Sequence, residues 1–238
     1  MSKQIYQLCP TKHGFPDPQL ALKDPDGLLA FGGDLSTQRL KLAYKSGIFP
    51  WFSEDEPIMW WSPSTRAVIE LDNFHISKSL KKYQKKKNFK ISINTQFESV
   101  IEGCQQQRID QEGTWITDEM KHAYLSLHRS GIAHSIEVTF ENNLVGGLYG
   151  IMQNGTFCGE SMFHTMTNTS KLASWALVNW LKKHDAHFID CQLTNPYLTS
   201  LGATEITRSD FLAKLILSNK FTMPSDMWKP QQLENIYE

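Results

Sequence analysis

Cysteine is scarce and scattered in this chain of 238 residues: Cys9, Cys104, Cys158 and Cys191 lie far apart and form no CxxC pair. That spacing speaks against both a zinc knuckle and a disulfide scaffold, and reduced thiols are expected. Long apolar runs are missing as well. No stretch nears the ~18 residues a membrane-spanning helix needs, and the N-terminal MSKQIYQLCP lacks the apolar core of a signal peptide. A soluble cytoplasmic protein is expected. No GxSxG elbow supports a serine nucleophile. The glycines of GGDLS (32 to 36) are followed by no lysine, so a tight turn into a helix explains them better than a phosphate loop, and no strand is expected before them. His184 and His187 lack a carboxylate or cysteine at ligand spacing. No repeat and no low-complexity segment appears beyond one lysine run.

What is present describes a folded protein. Hydrophobic residues make up 40% and charged residues 21%, which excludes disordered, collagen-like and extended coiled-coil chains. The length suits one large domain or a main domain carrying a smaller one.

The net charge of −1 hides a segregation. The segment from Lys78 to Lys90 holds seven lysines and no acid, leaving −8 on the rest of the chain. Lys78, Lys81, Lys82 and Lys85 recur at i, i+3, i+4 and i+7, along one face of a helix. Such a stripe suits a phosphate backbone. On composition alone, a solvated helix face beside a loop is the plainer account.

Turn formers crowd the first sixty residues, where a small irregular domain (1–64) is expected. It contains one helix, capped by Ser36 and stopped at Gly47. From Arg66 onward strands and helices alternate. Strand patterning appears at Ala67 to Leu71 and Ile91 to Ile93, and helical spacing at Phe97 to Cys104 and Met120 to Leu127. Strands Ile136 to Phe140, Leu144 to Ile151 and Thr156 to Met162, joined at Asn142-Asn143 and Asn154-Gly155, read as an antiparallel meander. A helix through Ala173 to Trp180, a strand from Phe188 to Leu193 and a helix from Ser209 to Leu217 complete the second domain (65–238). The expected class is α/β or α+β, a mixed sheet flanked by helices.

Two places carry candidate chemistry. On the late strand, alternation puts Asp190 and Gln192 on one face, where a carboxylate and an amide can accept a proton or orient an amine; bonding to neighbouring backbone is the plainer role. Glu160 sits inside the apolar run 157 to 163 and requires a partner if buried, either a cationic substrate group or an arginine such as Arg66 or Arg208. Aromatic residues cluster at Phe49, Trp51, Phe52, Trp60, Trp61 and Trp115, for core packing or for lining a ligand site.

The blocks GLLAFGGDLS (27 to 36), AYKSGIFPWF (43 to 52), MWWSPSTRAV (59 to 68), HISKSLKK (75 to 82), EGTWIT (112 to 117), AHSIEV (133 to 138), LVGGLYG (144 to 150), FCGESMF (157 to 163), and IDCQ (189 to 192) with SLGA (200 to 203) resemble the leucyl/phenylalanyl-tRNA–protein transferases. The resemblance runs through nearly the whole chain in the family's order. It departs from the pattern at Thr139, His164 and Tyr197. It implies a small N-terminal domain on a GNAT-like acyltransferase domain. The implied activity is transfer of Leu or Phe, and less readily Met, from aminoacyl-tRNA to proteins beginning with Arg or Lys, creating a degradation signal. No cofactor, metal, CoA or membrane is implied. By the same resemblance Lys78, Lys82, Lys85 and Lys86 bind tRNA, and Trp51 and Trp115 stand around the substrates. Leu148, Phe157, Met162, Phe163 and Leu177 line a pocket for a side chain unbranched at Cβ. Asp190 is expected to act with Gln192 to orient the acceptor amine and take its proton, and Glu160 to help bind the acceptor's cationic end; the resemblance leaves open which of the three is base, orienting group or cation binder. A CoA-dependent acetyltransferase would share the fold, but the Q/R-x-x-G-x-G/A pyrophosphate loop is missing. An inert tRNA- or peptide-binding module would share the lysine stripe and the acids.

Overall fold

The computed structural model describes residues 4–109, 115–224 and 226–237. Glu112 to Thr114 of the EGTWIT block lie outside them. The turn-rich first third is more regular than its sequence suggests. It holds a four-stranded sheet in the order β1-β2-β4-β3, from β1 (Tyr6–Leu8), β2 (Leu28–Gly32), β3 (Phe49–Pro50) and β4 (Met59–Trp61). A strand therefore does precede GGDLS. The turn itself is as expected: Asp34 Oδ1 accepts the backbone N–H of Ser36, which caps helix α1 (Thr37–Lys45) by accepting from the N–H of Arg39. Gly47, at φ +75°, ends the helix in a conformation that disfavours side chains.

The remaining strands form a mixed eight-stranded sheet in the order β11-β5-β10-β9-β8-β7-β6-β12. They are β5 (Thr65–Glu70), β6 (Lys90–Ile93), β7 (Ala133–Phe140), β8 (Asn143–Gln153), β9 (Thr156–His164), β10 (Phe188–Gln192), β11 (Thr204–Thr207) and β12 (Gln231–Gln232). The class is mixed α/β, as expected. The meander β7-β8-β9 is antiparallel. Its first turn centres on Glu141-Asn142, both at positive φ, one residue earlier than the sequence suggests.

The helices are α2 (Lys78–Lys86), α3 (Phe97–Ile109), α4 (Asp118–Arg129), α5 (Thr169–Lys183), α6 (Pro196–Ser200) and α7 (Arg208–Ser218). Helix α3 lies on one face of the large sheet, in a core that α4 and the small sheet share through Val100, Tyr124, Tyr149 and Trp60. On the other face, α5 packs against Val138, Leu148 and Phe157. The one-sided pattern read from Ala173, Ala176, Leu177 and Trp180 understates how enclosed α5 is. Leu172, Trp175 and Val178 are buried too, because the C-terminal segment covers the outer side: Tyr237 donates its hydroxyl to the Leu172 carbonyl and packs at a tilt against Trp175. Each fully buried Leu or Val on α5 contributes about 1.5–3 kcal/mol.

Candidate active site

Strands β9 and β10 are parallel neighbours in the middle of the sheet, yet they pair only over Thr156–Cys158 and Phe188–Asp190. Beyond that point they part. β9 continues to His164 bonded to β8 alone, and β10 shifts register between Asp190 and Gln192, with Gln192 at φ +57°. The gap opens into a cavity of about 1370 Å³ that reaches from the sheet to the small domain's aromatic residues. Its apolar side is made by Leu148, Phe157, Met162 and Leu177, and its far side by Trp51, Trp61 and Trp115.

Glu160 is at the parting point for a local reason. Tyr149 pairs with Ser161 and Gly150 with Gly159, so Glu160 is the extra residue of a bulge, which re-aims a side chain that regular pleating would fix. Gly150 permits the close approach there, since a Cβ would meet the Cys158 carbonyl and the Phe157 ring. Glu160 is half-buried and lines the cavity. Its Oε2 accepts the Tyr124 hydroxyl at 2.8 Å and its Oε1 accepts Gln192 Nε2 at 3.2 Å. The Tyr124 hydroxyl in turn bonds the Tyr44 hydroxyl, both rings buried. Among the described residues no cationic side chain forms a salt bridge with Glu160. Burial pushes its carboxyl up to about 7 from an ordinary 4.5, against the hydrogen bond from Tyr124 and the nearby Tyr44 hydroxyl, which favour the charged form.

Neither arginine considered as a partner reaches Glu160. Arg208 donates to the Pro63 carbonyl. Arg66 makes a two-pronged pair with Asp190, Nε to Oδ1 at 2.8 Å and Nη2 to Oδ2 at 2.7 Å, with both residues 1% exposed. The guanidinium lies between the rings of Phe49, at 4.7 Å, and Phe211, at 4.5 Å. Asp190 Oδ1 also accepts the backbone N–H of Gln192 at 3.0 Å, across the bulge. Asp190 is therefore absent from the cavity wall, whereas Gln192 is on it. The two are linked through the Gln192 backbone, not by regular strand alternation, which ends at the register shift.

The cavity brings Leu148, Phe157, Met162, Leu177, Trp51, Trp115, Glu160 and Gln192 together. Phe163 is the correction. Adjacent strand residues face opposite ways, and Phe163 packs with Val100 and Cys104 on the α3 face, its ring where a Cβ on Gly103 would be. Trp51 is 46% exposed at the mouth, edge-on to Trp61, whose Nε1 donates to the Trp51 carbonyl. Trp115 lies under the Arg108 guanidinium. Lys78, Lys82, Lys85 and Lys86 are exposed on α2, whose Leu80 is the buried anchor. Phe74, just before that helix, is on the cavity wall.

Sequence reading misses Tyr44 and Tyr124. Both fit the apolar positions of amphipathic helices, and nothing local shows that their hydroxyls meet. A second cavity, of about 500 Å³, lies beside Asn94, His134 and Trp228. Its His134 is stacked on Trp228, bonded to Asn94 Nδ2 and pushed down to about 3 by burial, so it is neutral and serves packing.

Residues 68–216 match the family model described as leucyl/phenylalanyl-tRNA protein transferase, and residues 33–64 match that of its N-terminal domain. A protein of Pseudoalteromonas translucida (strain TAC 125) named leucyl/phenylalanyl-tRNA–protein transferase is 64% identical over 238 residues, covering 100% of each chain. One of the same name from Pseudoalteromonas atlantica is 51% identical over 97% of this chain and 98% of its own. Among solved structures, L-PGS from Bacillus licheniformis aligns over 85% of this chain and 65% of that chain, with 11% identity and a TM-score of 0.40.

Proposed function

Because this chain belongs to the leucyl/phenylalanyl-tRNA–protein transferase family, we propose that it moves Leu or Phe, and less readily Met, from aminoacyl-tRNA to proteins that begin with Arg or Lys. The product carries a new N-terminal residue that marks it for degradation. The chain is an aminoacyltransferase with an aminoacyl-tRNA donor and a protein acceptor. In this reading residues 1–64 are the small domain and 65–238 the GNAT-like catalytic one, with the parting of β9 and β10 as its cleft. The work is cytoplasmic, where charged tRNA is made; among the described residues no helix is long and apolar enough to cross a membrane.

The observation that carries the proposal is Glu160, a carboxylate with no salt-bridge partner among the described residues, on the wall of a cavity that also has an apolar side. The donor's side chain goes to Leu148, Phe157, Met162 and Leu177. The acceptor's α-amine goes to Glu160 and Gln192. An aminoacyl ester is already activated, so the chemistry needs a neutral amine held against the carbonyl. The amine's ordinary pKa of about 7.7–8.0 leaves a minority neutral at pH 7, and orientation contributes up to about 7–11 kcal/mol. As the C–N bond forms, the amine's proton passes to the Glu160 carboxylate; as the C–O bond breaks, the ribose oxygen takes up a proton. Gln192 holds Glu160 in place, and Asp190 acts through Arg66 and the Gln192 backbone rather than on the substrate. Glu56, also on the wall, supplies negative charge for the acceptor's cationic side chain.

The test mixes the protein with labelled leucyl-tRNA and two peptides that differ only in starting with Arg or Ala. Label is expected in the Arg peptide alone and none after RNase pretreatment. Equal labelling of both peptides, or of neither, would overturn the proposal.

The lysines of α2 give a separate expectation. Replacing Lys78, Lys82, Lys85 and Lys86 by Ala should make the slope of log affinity for tRNA against log salt shallower by about 3, since each lost phosphate contact removes about 0.7–0.9. Turnover at saturating tRNA should survive. An unchanged slope in a salt titration would place the tRNA elsewhere.

A further inference from the structure

The geometry points to Tyr44 and Tyr124 as positioning residues for Glu160: a buried hydroxyl relay from helix α1 through helix α4 that holds one carboxylate oxygen and leaves the other directed at the substrate amine. This rests on the reading of Glu160 as the proton acceptor.

The relay has one consistent direction. Tyr124 gives its only proton to Glu160 Oε2, at 2.8 Å, so the bond between the two hydroxyls must be donated by Tyr44. Burial, the main cause, pushes both phenols well above their ordinary range, so they stay protonated and able to donate. Tyr44 is 1% exposed and Tyr124 0%, which keeps water from replacing either bond. On the other oxygen, Gln192 Nε2 is 3.2 Å away. Other titratable or charged groups around Glu160 are Tyr149 from β8, Cys158 from β9, Asp190 from β10, Arg66 from β5 and, on the same cavity wall, Arg108 from α3 and Glu56. Of the two cations, Arg66 is occupied by Asp190, and Arg108 donates to the Ser161 hydroxyl and lies over Trp115. The tyrosines are therefore the main hydrogen-bond support of the charged carboxylate from within the protein. Tyr44 also ties this support to α1, the helix that leads into the aromatic wall at Phe49 and Trp51.

A structural tyrosine pair would affect melting; a positioning pair also sets the proton affinity of Glu160. The test is an NMR titration of the full chain carrying 13C-labelled glutamate carboxyls, with E160Q identifying the Glu160 resonance. Wild type should titrate near 7. Tyr124→Phe removes a donor that prefers the carboxylate, so the midpoint should move up by about one pH unit. Tyr44→Phe should move it in the same direction by less. With Tyr124→Phe, transfer near pH 7 should fall about fivefold, the loss in ionised fraction for a one-unit shift, and recover in alkaline buffer. An unmoved midpoint in folded Tyr124→Phe would overturn the relay. Should that variant fail to fold, Tyr44→Phe decides by the same criterion, because it leaves the Tyr124 bond to Glu160 in place. Full transfer by E160Q would instead overturn the reading of Glu160 as proton acceptor, an outcome distinct from an unmoved midpoint.

Discussion

Glu160→Gln is expected to lower single-turnover transfer by about 10²–10⁴-fold while raising the melting temperature above neutral pH. The loss is that of a positioned proton acceptor. The gain follows from the same burial. In the unfolded chain the carboxyl ionises around 4.5; in the fold it holds its proton to about 7. Below 4.5 both states are protonated and the residue costs nothing. Between 4.5 and 7 the fold binds a proton the unfolded chain has released, so stability falls as pH rises, and above 7 the whole penalty is present. Glutamine never ionises and escapes it. The melting-temperature gap between variant and wild type should thus be absent near pH 4.5 and widen to its full size above about 7. Calorimetric scans across that range check the second half, and rapid-quench transfer assays the first. A variant that loses activity with no such pH-dependent gap would mean that Glu160 is not a desolvated carboxylate.

Much of the scaffold for this site is legible in the sequence, because its signals are local. Alternation and paired turn residues mark β7, β8 and β9, and Ser36 and Gly47 mark the ends of α1 that the structure keeps. The lysine helix follows from spacing alone. What escapes is set by contacts far apart in the chain. The small sheet is invisible because β3 and β4 are two and three residues long, too short to show a period. Glu160 stands out as an acid in an apolar run, yet no local pattern shows that it occupies a bulge, since the bulge is a mismatch of register with β8. Nothing in 157 to 163 tells which of Met162 and Phe163 faces the cavity until the bulge fixes the phase. The partner of Asp190 is 124 residues away, and Tyr44 meets Tyr124 across 80.

The Arg66–Asp190 pair provides the largest expected loss of stability, and it decides what Asp190 does. Asp190→Asn leaves the Arg66 charge buried between Phe49 and Phe211 with no counter-charge, a cost of about 3–5 kcal/mol. For a chain of this size that is roughly 6–20 °C of melting temperature. Replacing both partners with apolar residues, Arg66→Met with Asp190→Leu, removes the orphaned charge and should recover most of that loss, since a well-packed apolar pair is often as stable as a buried ion pair. Activity should not return with it. The double variant still lacks the oxygen that accepts the Gln192 N–H, and with it the bond that pins the bulge from which Gln192 reaches Glu160; turnover measured well below the melting point should remain at least about tenfold down, the loss from roughly 1.4 kcal/mol of misplacement. If activity and stability recover together, the pair is scaffold only. If Asp190→Asn destroys turnover with an unchanged melting temperature, Asp190 acts on the substrate directly, as its place beside Gln192 in the sequence first suggests. A stable double variant with impaired turnover is the outcome consistent with a carboxylate whose contribution passes through the backbone of its neighbour.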